Sequence, residues 1–85
     1  MTNWKKLIQY EMETQEETFE DMVKCTLADE ELVVEFDNGY GGKEGKPFTL
    51  WTINRVYFPM VYDGAEWVGS VSRNPDGKPT YHLGG

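Results

Sequence analysis

FTLWTINRVYFPMVYDGAEWVGSV, residues 48 to 71, decides the fold. Phe48 to Ile53 and Val56 to Tyr62 are rich in β-branched and aromatic side chains, the types that fit a pleated, half-buried surface. Asn54-Arg55 can turn between them, and Asp63-Gly64 accepts positive φ, a strong short hairpin signal. The stretch predicts three strands joined by two tight turns and ending near Val71. Alternation sets two faces, with Phe48 and Leu50 against Trp51 and Ile53, then Val56, Phe58 and Met60 against Tyr57 and Val61. Both faces are apolar. One helix covers only one of them, so a second helix, a dimer partner or a target must cover the other. Pro59 cannot donate to a ladder, and it marks an edge or a bulge within the second strand.

Upstream of this sheet, Thr2 or Asn3 can cap a helix in which Trp4, Leu7, Ile8 and Met12 form one apolar stripe. The stripe thins among Glu13, Gln15, Glu16 and Glu17, which places the helix end near residue 17. Met22 to Leu27 then alternates Val23, Cys25 and Leu27 inward with Lys24 and Thr26 outward, a short strand. Residues 29 to 37 fit either state. Leu32, Val34 and Phe36 alternate as a strand would, whereas a capping Asp29, early glutamates and the Asn38-Gly39 stop favour a short helix, which is the expectation. Downstream, Asn74-Pro75-Asp76-Gly77 is a turn that could return Thr80 to Leu83 as a further strand. With 85 residues, 39% of them hydrophobic, the chain can form one small domain, residues 1–85, with one layer of helix on one layer of sheet. The expected class is α+β, an N-terminal helix and a second short helix packed on an antiparallel sheet of three or four strands. No run of eighteen apolar residues and no basic-then-apolar start is present, and Cys25 is the only cysteine. The expectation is a protein without membrane span, secretory signal or disulfide, in the cytoplasm.

No stretch carries a convincing catalytic pattern. The loop GYGGKEGKP, residues 39 to 47, invites comparison with a phosphate-binding loop, but Tyr40 stands at the first glycine and Pro47 at the magnesium-binding hydroxyl. Asp63 and Glu66 are two carboxylates beside Tyr62 and Trp67. Asp63 is explained as a hairpin residue, Glu66 as a solvent-facing strand residue, and so thin a domain cannot wrap a sugar. His82 has no metal-ligand partners at suitable spacing. Cys25, on an alternating strand beside Val23 and Leu27, reads as a small buried hydrophobe rather than a nucleophile. The terminal Leu83-Gly84-Gly85 matches the diglycine of ubiquitin-like carriers, but those begin with a hairpin, and a terminal tail is the plainer account. A non-enzymatic protein with no cofactor and no metal is expected.

Charge is the informative property. The net charge is −7, and it is unevenly placed: residues 1 to 37 hold eleven acids against three lysines, residues 38 to 85 four acids against five bases. Such a field disfavours direct contact with nucleic acid, which needs Lys and Arg against phosphate, and favours a basic partner. Of the acids at 11, 13, 16, 17, 20 and 21 several lie one helical turn apart, without the bases needed for i,i+4 pairing. The candidate partner-binding residues are Glu13, Glu16, Glu17, Glu20 and Asp21, joined by the aromatic anchors Tyr40, Trp51 and Tyr57.

The run Glu35-Phe36-Asp37-Asn38-Gly39-Tyr40-Gly41-Gly42, with Pro47 to Thr52, Arg55 to Pro59 and Tyr62 to Val68, resembles a group of small proteins encoded by bacteriophages and prophages. Phage genomes carry many small acidic proteins that block host defence nucleases, anti-CRISPR proteins and DNA-mimicking restriction inhibitors among them. The resemblance implies membership of that broad class, with the host cytoplasm as the place of action. It assigns no inhibitory residue. The expected function is inhibition of a host nucleic-acid-binding or defence protein through the acidic surface. The alternative is a homo-oligomeric structural or accessory phage protein, a homodimer closing the second sheet face.

Overall fold

The computed structural model describes residues 1–37, 45–62, 65–80 and 82. In chain order it contains α1 (Trp4–Thr14), a 3-10 turn (Phe19–Asp21), β1 (Met22–Cys25), α2 (Asp29–Leu32), β2 (Leu50–Thr52), β3 (Arg55–Tyr62) and β4 (Ala65–Ser72). The strands form one antiparallel sheet in the order β1-β2-β3-β4, so every neighbour in sequence is a neighbour in space. The architecture is α+β, one principal helix on a four-stranded antiparallel sheet. No described helix is long and apolar enough to cross a membrane.

Asn3 starts α1, its side-chain oxygen accepting the Lys6 N–H at 2.9 Å. Trp4, Ile8 and Met12 then point at the sheet, where they meet Leu50, Tyr57 and Val68; Leu32, Phe36 and Phe48 complete the core. Rings of Phe36 and Phe48 lie 4.8 and 4.9 Å from Trp4, tilted by 54° and 58°, within the range of favourable aromatic contacts. A two-way backbone pairing between Thr2 and Phe36 fixes the residues before α1 to those after α2.

Four expectations need adjustment. The helix ends at Thr14, three residues early, because the chain turns left-handed at Glu16. The register slips between Met22 and Lys24, a bulge that leaves Val23 58% exposed instead of inward; Cys25 does pack against the core. Residues 29 to 37 are neither wholly helix nor strand: one helical turn reaches Leu32, Val33 turns out of it, and a single bridge forms at Phe36. The fourth strand is β1, and neither Thr80 nor His82 lies in a strand. The Asp63-Gly64 turn lies outside the described residues. Asn74 to Gly77 does turn, with Gly77 at φ +75° and the Asp76 carboxylate accepting from the Lys78 N–H at 2.9 Å. Pro59 sits past Tyr57, the last β3 residue that pairs with β2, so β3 is there an edge on that side and no bond to β2 is lost.

Candidate functional site

The acids singled out from the sequence separate into two groups. Glu17 N–H donates to the Met12 carbonyl at 2.7 Å and Glu16 N–H to the Glu13 carbonyl at 3.2 Å, with Glu16 at φ 60°. This is the six-to-one and five-to-two pairing of a Schellman cap, with a glutamate where glycine is usual. The left-handed residue reverses the chain and carries Glu17 under the sheet, where it is 9% exposed.

There, one oxygen of Glu17 accepts the Tyr57 hydroxyl at 2.5 Å, and both lie 3.0 Å from the Thr52 hydroxyl. Thr52 Oγ1 in turn accepts the N–H groups of Asn54 and Arg55 at 3.3 and 2.9 Å, which closes the β2–β3 turn. Burial first, then the hydrogen bond to Glu17 and its negative charge, push the Tyr57 hydroxyl well above the ordinary tyrosine range. A second linkage runs beside it. Glu11 accepts from Ser70 Oγ at 2.7 Å and from Gln15 Nε2 at 3.1 Å, while Ser70 Oγ accepts from Arg55 Nε at 3.0 Å. Glu17 and Tyr57 are therefore corrected from surface contacts to core residues. Their polar atoms are occupied, and neither faces a partner.

Asp21 is half-buried and accepts the Thr18 N–H at 2.9 Å, capping the 3-10 turn that it helps to form. Glu13, Glu16 and Glu20 are exposed, as are Asp29, Glu30, Glu35 and Asp37. Because α1 stops at Thr14, the acids after it do not continue a helical row, and the regular spacing expected along one helix is not formed. Among the described residues one salt bridge occurs, Lys46 to Glu31 at 3.1 Å. The Ala28 N–H, then Lys46, hold the Glu31 carboxyl below the usual carboxylate range. Lys5 lies 5.9 Å from the Phe19 ring centre.

The aromatic anchors also separate. Tyr40 lies outside the described residues. Trp51 is half-buried and pairs across the sheet with Val56, on the face away from α1, whereas its neighbours Leu50 and Thr52 point at the helix. Trp51 and Glu13 thus belong to opposite layers, with Tyr57 in the core between them, and no flat partner touches all three. One exposed aromatic on the acidic side was not legible as an anchor: Tyr10, 64% exposed on α1, is three residues before Glu13 and so on the same helical face. Its position off the Trp4-Ile8-Met12 stripe was the available signal.

Glu66 is buried on β4, not solvent-facing, and both its oxygens accept from the Gly45 N–H at 3.2 and 3.3 Å. Trp4 Nε1 donates to the Lys46 carbonyl at 2.9 Å, so this corner joins the connector to both α1 and β4. A groove of about 520 Å³ lies between Lys5, Phe19, Met22, Asp29, Glu30, Leu32 and Val33. It brings no nucleophile and base together. Among the described residues no three of His, Cys, Asp and Glu are placed to hold a metal ion. No protein-family model, curated protein or solved structure matches this chain.

Proposed function

We propose that the protein is a small non-enzymatic binding protein of phage or prophage origin that inhibits a host nucleic-acid-binding or defence protein by occupying its basic surface. The observation that carries the reading is the group of exposed acids left unneutralised on the helix side: Glu13, Glu16 and Glu20, with Asp29 and Glu30. Their summed field steers encounter with a basic surface, and an adjacent aromatic supplies contact area at low entropic cost. Tyr10 takes the anchoring role in this proposal, replacing Tyr57. The strained backbone at Glu16 adds support, since a left-handed position that glycine would occupy without strain holds an acid instead.

The test is capture from bacterial lysate with the intact protein as bait, beside a variant with Glu13→Gln, Glu16→Gln and Glu20→Gln. Glu17 stays unchanged because its removal would disturb the core. Retention of a nucleic-acid-binding protein by the native bait, lost in the variant and weakened by salt, is the expected result. A partner held equally by both baits, or unaffected by salt, would exclude the acidic surface.

A further inference from the structure

Instead of adding a strand, residues 73 to 80 wall a recess of about 770 Å³ against the C-terminal half of α1 and the ends of β3 and β4. The wall is fixed locally. Ser72 Oγ donates to the Asn74 carbonyl at 2.5 Å, the Asp76 carboxylate accepts the Lys78 N–H, and Gly77 takes the positive φ that lets the chain turn. Three cations line the recess: Arg55 from β3, Arg73 just past β4 and Lys78 from the wall. Three of the chain's eight bases are thus gathered at one place in a protein with fifteen acids, yet among the described residues no carboxylate oxygen comes within 4.0 Å of any of them.

Both guanidinium groups are held in place with most of their donors unspent. Arg55 is half-buried and donates from Nε to Ser70 Oγ at 3.0 Å, and Ser70 is itself fixed by donating to Glu11 at 2.7 Å. Arg73 donates from Nη1 to the Thr52 carbonyl at 2.9 Å, and its backbone N–H donates to the Asn54 carbonyl at 2.8 Å. One edge of each group is an anchor. Among the described residues the two Nη groups of Arg55, the Nε and second Nη of Arg73 and the Lys78 ammonium meet no acceptor.

We propose that this recess binds a small phosphate monoester that also carries hydroxyl groups. Planar guanidinium edges match phosphate oxygens two at a time, and a guanidinium already oriented loses less freedom on binding than a free side chain. A doubly charged phosphate answers three cations around one recess better than a single carboxylate does. The acids of the recess set the rest of the ligand. Glu11 and Asp76 line it too, and among the described residues each keeps one carboxylate oxygen that accepts no bond. Such oxygens repel a bare phosphate but accept from a hydroxyl, so a phosphate on a hydroxylated carbon chain suits both kinds of group. No aromatic side chain stands among the described lining residues, which leaves a flat base without a stacking surface. The volume lies within the usual range of small-molecule sites. A net charge of −7 opposes any anion at long range, so the dissociation constant is expected on the order of 0.1–1 mM. This inference does not rest on the proposed host target, whose acids Glu13, Glu16 and Glu20 lie outside the recess.

The experiment is an amide chemical-shift titration of the isotope-labelled full chain with glycerol 3-phosphate up to about 10 mM, ten times the weakest affinity expected. Inorganic phosphate, glycerol and sodium chloride at equal ionic strength run beside it. Glycerol 3-phosphate should give saturable shifts at Gln15, Arg55 and residues 70 to 78, inorganic phosphate should bind about threefold or more weakly, and glycerol and chloride should not saturate. Arg73→Gln and Lys78→Gln, both at exposed positions, should each weaken binding by about 5- to 10-fold, and Arg55→Gln by about 10-fold or more. Should Arg55→Gln lose its fold because Ser70 loses a donor, the two exposed variants still decide. Shifts that chloride reproduces, that gather at Lys5 and Lys6 instead, or that persist undiminished in the folded Arg73 and Lys78 variants would overturn the proposal. Inorganic phosphate bound as tightly as glycerol 3-phosphate would overturn the hydroxyl-bearing ligand.

Discussion

At the scale of single residues, Glu16 and Glu17 show how one backbone angle redistributes charge. A left-handed conformation costs a non-glycine residue about 1–2 kcal/mol, and glycine adopts it freely. Glu16→Gly should therefore raise stability by about 0.5–1 kcal/mol in urea unfolding, after allowance for the looser unfolded chain. Loss of stability would mean that the Glu16 side chain makes a compensating contact. Neither the cap nor its consequence was legible: in sequence Glu17 is one acid among many, and only the reversal at Glu16 turns it inward. Tyr57 is the counterpart. Alternation separated it from Val56 and Phe58, but gave neither that Tyr57 lies on the Leu50 side, under the helix and away from Trp51, nor that its hydroxyl meets a carboxylate 40 residues away. Tyr57→Phe leaves the buried Glu17 short of a donor and should cost about 1–3 kcal/mol. The pH dependence has a definite sign. The folded state holds the Tyr57 proton above the ordinary value of 10.0, so the contribution is complete below that pH and declines as pH rises beyond it. Native stability should fall more steeply above pH 10.0 than that of Tyr57→Phe, with equal slopes counting against a buried neutral hydroxyl.

At the scale of elements, the sheet was the legible part. Period-two patterning in residues 48 to 71 separated the two faces of each strand but not which of them meets the helix, and of the edge or bulge expected at Pro59 the structure has a local edge. What escaped were the irregularities that depend on partners distant in sequence. The bulge at Val23 follows from matching β1 to β2, whose paired residues lie 25 to 30 positions apart, and no local signal states that register. The single turn of α2 is likewise set by the pairing of Phe36 with Thr2, which draws the chain out of the helix. The joint where the connector reaches β2 is equally non-local. Gly45 lies so close to Trp4 that a Cβ would stand 2.5 Å from Cζ2 and 2.9 Å from Phe36 Cζ. In sequence Gly45 is one glycine of the loop at residues 39 to 47, with nothing to mark its packing against an indole. Gly45→Ala should cost about 1–3 kcal/mol by forcing the Trp4 ring or the connector to move. A thermal midpoint within a degree of the native value would show that the ring gives way freely.

At the scale of the whole molecule, the arrangement is asymmetric in polarity: an acidic helix layer, an interior that holds the hydrogen-bonded carboxylates of Glu17 and Glu66, and an outer sheet face on which Lys24 is the charge within the described strands. The charge imbalance between the two halves of the chain was legible, because counting acids requires no structure. Their division between surface and interior was not, and that division decides how salt acts. Glu11 and Glu17 are tied to Ser70, Thr52 and Tyr57 and are little screened, whereas Glu13, Glu16 and Glu20 face solvent on one side of a chain with net charge −7. With one salt bridge among the described residues to lose, screening should relieve more repulsion than it removes attraction. Raising sodium chloride from about 20 mM to about 300 mM should therefore lift the thermal midpoint by a few degrees, the response expected of about 0.5–1 kcal/mol in a domain of this size. Changing Glu13, Glu16 and Glu20 to Gln should lift the midpoint at low salt and flatten its salt dependence. The unfolding should be read at one protein concentration throughout. A midpoint that falls with salt would mean that attractive pairs dominate the surface, and the acids would then serve the protein's own stability instead of a basic partner.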